Sequence, residues 1–169
     1  GSDGVEIYGP PKIITKLFRE FVQLGVLPCG LGARDTLRFE AGLPLYGHEL
    51  GPDITPIEGG LSRFIDLDKP FVGRDALRAQ IQHDNRRQLI GLRLLDRGMP
   101  RQDYPVYFAG EKVGYVTSGG FAPYLKEYLA MALVKIPSND MMDKSFEIKI
   151  RKKNHRAEKV PINFLKQTD

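Results

Sequence analysis

The chain has one cysteine, no tryptophan and three histidines in 169 residues. Cys29 alone cannot close an internal disulfide, so a reducing compartment is expected. It follows Pro28 and reads as a small buried apolar residue rather than a nucleophile. His48, His83 and His155 are far apart and have no cysteine or paired acid beside them. That spacing gives no metal centre and no Ser-His-Asp or Cys-His arrangement. No apolar run approaches the roughly 20 residues of a membrane-spanning helix, and the N-terminus lacks the basic and apolar regions of a secretory signal. Glycine pairs occur in "GGLSRF" and "SGGF", but neither follows a strand with the spacing of a phosphate-binding fingerprint.

What is present is the composition of a globular protein: 41% hydrophobic and 27% charged residues, enough to bury a substantial core. A net charge of +4 biases the chain mildly toward anionic partners.

The fold class read from patterning is α+β: a strand-helix-helix region followed by a small antiparallel barrel or sandwich. Val5 and Ile7 alternate with Glu6 and Tyr8 as at the end of a strand. Pro10 and Pro11 suit a helix start, and Ile14, Leu17, Phe18, Phe21 and Val22 recur as a core-facing stripe ended by Gly25. A second helix runs from Ala33 to Ala41, with Gly42 placed to end it in the left-handed conformation. Residues Phe64 to Leu67 read as a strand, and Ala76, Leu77 and Ile81 as a short helix. The polar stretch His83–Arg87 lacks periodicity and marks a domain boundary, giving domains 1–82 and 83–169.

Beyond it, Ile90, Leu92 and Leu94 alternate, "YPVYF" and "VGYVTS" flank a hairpin turn, and "YLAMALV" is a short apolar run. Phe146, Ile148 and Ile150 alternate before a turn through Lys152-Lys153-Asn154-His155. Short strands with frequent turns point to a small closed or sandwiched β-structure.

Two charge clusters stand out. Lys149, Arg151, Lys152, Lys153, Arg156 and Lys159 crowd the last hairpin. They suit a solvated edge that discourages strand pairing, or a docking face for an acidic protein or nucleic acid. The absence of interleaved aromatics counts against a single-strand stacking surface. The second cluster is Glu6 with Arg34, Asp35, Arg38 and Glu40. Composition reads these as surface ion pairs. Arg34, however, stands at a helix start, where the dipole disfavours a cation. Asp35 could answer it, and so could a ligand carboxylate held by the guanidinium.

The segments "SDGVEIYG", "GLGARDTLRFEAGLPLYGHEL", "TPIEGGL", "FVGRDAL", "DRGMPR", "YPVY", "VGYVTSGGFAP" and "KVP" follow one another in an order that resembles the T-protein family, the aminomethyltransferases of the glycine cleavage system. The resemblance spans nearly the whole chain but only the C-terminal half of the family's length. It implies the tail of a folate-binding region to about Gln82, then a C-terminal barrel. It further implies transfer of the methylene group of aminomethyl-lipoyl H-protein to tetrahydrofolate, with lipoylated H-protein and folate as partners and no metal. The family's reacting-centre aspartate belongs to the other half, so this chain alone is expected to be inactive. On matched motifs, Glu6 in "DGVEI" and Arg34 in "ARD" correspond to folate-contacting residues. The implied location is the bacterial cytoplasm or the mitochondrial matrix, with no membrane association and no nucleic-acid partner. The alternative is a non-catalytic folate-binding or protein-docking module of the same superfamily.

Overall fold

A computed structural model describes residues 3–83, 86–136 and 145–167; Asp84 and Asn85 of the boundary stretch fall outside them. The chain divides into two compact units, Gly1–Arg34 and Asp35–Asp169.

In the first unit, Pro11 opens helix α1 (Pro11–Gln23). Its ring supplies a helical φ where no intrahelical N–H is needed. Gly25, at φ 88°, ends it: its N–H reaches Val22 O at 3.0 Å and Val26 N–H reaches Phe21 O at 3.0 Å. This is the paired closure of a left-handed C-terminal cap. The expected apolar stripe exists, but no residue of α1 is buried, and Phe18 is 58% exposed. The expected strand at Val5–Ile7 does not form. A strand is a paired element, and no described residue pairs with this segment, so alternation alone leaves it extended and unladdered. Cys29 is exposed rather than buried: it lies in the irregular stretch 26–30, where every residue is exposed.

Helix α2 (Leu31–Glu40) begins two residues earlier than its periodicity indicates, so Asp35 lies beyond its first turn. Gly42, at φ 70°, closes it as expected: Leu43 N–H reaches Arg38 O at 2.8 Å, and Gly42 N–H reaches Phe39 O at 2.9 Å. The strand expected at Phe64–Leu67 is instead a 3-10 turn, Ser62–Phe64, followed by irregular chain. Phe64 lies 69% exposed with Arg63 stacked 4.6 Å from its ring, so the short apolar run has no core face to alternate against. Helix α3 (Arg74–Ile81) follows, capped by Gly73.

The rest is a closed antiparallel barrel. Its strands are β1 (Gln88–Leu94), β2 (Pro105–Phe108), β3 (Glu111–Ala122), β4 (Glu127–Val134), β5 (Phe146–Ile150) and β6 (Lys153–Val160), in the order β1-β4-β3-β2-β5-β6. Pairing of Gly91 with Val160 and Leu94 with Ala157 joins β1 to β6 and closes the ring, which removes exposed edges. Ile90, Leu92 and Leu94 alternate into the interior with Val106, Val116, Phe146 and Ile148. On β4, Ala130, Ala132 and Val134 face inward, while Leu129 and Met131 pack outward against Phe39 of α2 and Phe164. That double burial explains why "YLAMALV" is a continuous apolar run instead of an alternating one. The last hairpin turns at Arg151-Lys152, with Ile150 opposite Lys153, not through Lys152–His155. Arg151 takes φ 57° to make that tight turn.

Candidate functional site

Glu6 lies in the extended segment before α1, exposed, and accepts the Tyr8 hydroxyl at 2.6 Å. That hydrogen bond, reinforced by the glutamate charge, raises the Tyr8 pKa above its ordinary value, since a phenolate beside the carboxylate is disfavoured. The bond occupies one acceptor position of Glu6 Oε2; a carboxylate offers about four.

Arg34 is the fourth residue of α2, its N–H bonded to Gly30 O at 3.2 Å and its side chain exposed. Among the described residues its guanidinium holds no carboxylate. No hydrogen bond or ion pair joins it to Glu6. The nearest candidate in sequence, Asp35, is taken by Arg38, with Nη2–Oδ1 at 2.6 Å and Nε–Oδ1 at 2.8 Å.

Arg38 and Glu40 are not the surface ion pairs that composition indicates. The Arg38 side chain is 10% exposed and meets Glu49, fully buried, at 3.0 Å. The guanidinium also donates to Ser118 Oγ on β3 at 2.9 Å and to Leu43 O at 3.4 Å. Glu49 Oε2 additionally accepts the Leu45 N–H at 3.0 Å, so the loop after α2 wraps around this carboxylate. His48 in the same loop places Nδ1 2.9 Å from Thr117 O. Glu40 is likewise buried and accepts the Tyr124 N–H at 3.1 Å. These contacts lash α2 and its loop to β3.

A third buried carboxylate, Glu58, was not legible as such; its one signal is an acid set in the Pro-Ile-Glu-Gly-Gly turn. Burial alone would raise its pKa. The Arg87 guanidinium (2.8 Å), the Thr55 N–H (2.9 Å) and the Arg87 charge outweigh burial and hold it below the usual carboxylate value. Arg87 also donates to Asp53 O. Because the folded pKa lies below the ordinary 4.5, the pair's stabilisation is complete above that pH and is lost as pH falls through the folded value. Urea unfolding of wild type and Glu58→Gln at neutral and acid pH should show a gap that narrows on the acid side. A gap independent of pH would mean that the charge of Glu58 contributes nothing.

Among the described residues, no three His, Cys, Asp or Glu side chains come together as a metal site would need, and no helix is long and apolar enough to cross a membrane.

Residues 1–69 match the family model described as the GCVT N-terminal domain, and residues 87–166 match the one described as the glycine cleavage T-protein C-terminal barrel domain. The chain belongs to the glycine cleavage T-protein family. An aminomethyltransferase of Moorella thermoacetica is 48% identical to it over 172 residues, covering 99% of this chain and 47% of the relative. One from Desulfitobacterium hafniense is 44% identical, with the same coverage. The crystal structure of glycine cleavage system aminomethyltransferase T from Bartonella henselae superposes with a TM-score of 0.82 at 29% identity, covering 94% of this chain and 45% of that one. The chain thus spans about half the length of the curated T-protein relatives it matches, and the part it matches is the C-terminal half.

Proposed function

We propose that this chain is the C-terminal half of an aminomethyltransferase that moves the methylene of aminomethyl-lipoyl H-protein to tetrahydrofolate. One tetrahydrofolate nitrogen attacks the methylene carbon as the carbon–nitrogen bond to the departing amine breaks and ammonia leaves. The second nitrogen then closes on the same carbon as the carbon–sulfur bond to the lipoyl arm breaks, and the protons lost by the two nitrogens pass to ammonia and to the lipoyl sulfur. The products are 5,10-methylenetetrahydrofolate and dihydrolipoyl H-protein. The reacting-centre aspartate lies in the N-terminal half of the family's length. This half holds the folate: the Glu6 carboxylate pairs with the N–H edge of the pterin, and the Arg34 guanidinium binds a glutamyl carboxylate or carbonyl. Rates then come largely from holding two carbon carriers in reacting geometry. The division into folate-binding and barrel domains falls at 82/83, and the enzyme works in the bacterial cytoplasm, or in the mitochondrial matrix of a eukaryote.

The observation that carries this reading at the site is Arg34. It is a cation near the positive end of a helix with no counter-ion among the described residues, its neighbour Asp35 being committed to Arg38. An uncompensated guanidinium in that position is ready for an anionic ligand. Joining this chain to the N-terminal part of the Moorella thermoacetica relative should give tetrahydrofolate-dependent ammonia release from aminomethylated H-protein, while the chain alone releases none. Equal turnover by the chain alone would refute the proposal. Folate binding with no turnover in the joined protein would instead favour a non-catalytic module.

A further inference from the structure

Three arginines of the barrel are paired internally. Arg87 holds Glu58, Arg93 holds Glu127 and Glu158, and Arg156 holds Asp96. Four cations around one cleft are different. Arg101, in the loop between β1 and β2, and Arg151, Lys152 and Lys153, at the β5–β6 turn, converge on a cavity of about 610 Å³. All four are exposed, and among the described residues none of their side chains holds a carboxylate. No acidic side chain lines the cleft. Its remaining lining is Met99, Tyr104 and Ile150, with His155, whose buried Nδ1 has no hydrogen-bond partner among the described residues.

Both walls are held in place. Asp96, in the β1–β2 loop, accepts the backbone N–H of Arg156 at 2.9 Å and its Nη2 at 3.0 Å, stapling the loop to β6. Asp103 N–H to Val116 O and Val116 N–H to Tyr104 O, each 2.9 Å, tie the other end of the loop to β3. Gly98 packs so closely that a Cβ there would meet His155 Nδ1 and Ile150 Cδ1 at 2.8 Å. The opposite wall is the tight turn set by Arg151 at φ 57°. Like charges gathered without a counter-ion repel, and an anion between them relieves that repulsion. The volume lies within the range of small-molecule sites, and the apolar lining calls for more than an inorganic ion.

We propose that this cleft binds a small organic polyanion, a molecule with an apolar body bearing two or more carboxylate or phosphate groups. The two guanidiniums grip oxygens in bidentate fashion, the lysines supply charge, and Met99, Tyr104 and Ile150 cover the body of the ligand. A nucleic-acid track is disfavoured because the single aromatic ring of Tyr104 offers no succession of stacking faces.

The test is a titration of the isotopically labelled chain with trimesate, a benzene ring bearing carboxylates, at low ionic strength, followed by amide NMR. Saturable shifts confined to Met99–Tyr104 and Ile150–His155 are expected. Affinity should fall at least about tenfold in R101E/K153E, which removes two charge-assisted contacts. It should fall less than about twofold in K112E/K135E, which changes the net charge equally on side chains that do not line the cleft. All four substituted side chains are exposed, and circular dichroism verifies that each variant is folded. Three results would overturn the proposal: no saturable binding, equal losses in the two variants, or tighter binding of an oligoglutamate peptide than of trimesate. The last would make this a protein-docking face.

Discussion

Replacing Arg38 with alanine is expected to cost about 3–5 kcal/mol of unfolding free energy, the range found when one partner of a buried ion pair is removed. The magnitude follows from what remains. Glu49 is fully buried, its Oε1 already has no hydrogen-bond partner among the described residues, and Oε2 would keep only the Leu45 N–H. Ser118, Asp35 and the Leu43 carbonyl lose a donor at the same time. Because a buried pair gains little net energy over apolar packing, the double change Arg38→Met with Glu49→Leu should recover much of the loss. Denaturant midpoints of the two variants measure this directly. A single-variant loss below about 1 kcal/mol, the size of a surface pair, would show that water replaces the guanidinium.

Gly42→Ala carries the second large effect. Alanine at φ 70° costs about 1–2 kcal/mol. Its Cβ would also lie 2.6 Å from the Ile162 carbonyl oxygen and 3.0 Å from Asn163 Cα, so the chain after β6 must move. Overpacking of that kind adds about 1–3 kcal/mol. Gly110→Ala separates the two costs. Gly110 takes φ 84° in the β2–β3 turn and has nothing within 4 Å of a Cβ, so it should lose only the backbone part. Equal losses at the two positions would show that the contact with Ile162 is soft.

These two positions mark how far the sequence could be read. Gly42 was legible because a glycine just past a periodic helix has one common use, and α1 and β1 were legible through spacing of their apolar residues. Arg38 was legible as a charge but not as a buried one. Its partner lies eleven residues on, in a Gly- and Pro-rich loop whose path no periodicity describes. Val5 and Ile7 alternate correctly, yet strand formation depends on a neighbour, which local pattern does not contain. The β5–β6 turn was displaced because no glycine marks it: Arg151 takes the left-handed position in a run of equally polar residues. For the same reason, the hairpin's charge was visible from the start, while the cleft beside it depends on a loop some fifty residues away and was not.

At the site, Glu6 and Arg34 came from matched motifs, and local chemistry identified only Arg34 as unusual. Asp35, its neighbour in sequence, turns toward Arg38 instead.

The most direct measurement is the Michaelis constant for tetrahydrofolate in the protein completed with the N-terminal half, with and without Arg34→Ala. Loss of a charge-assisted contact made equally to bound folate and to the transition state should raise it about tenfold to a hundredfold. The turnover number at saturation should change little. An unchanged Michaelis constant in the variant would contradict the assignment of Arg34 as the anchor of the folate.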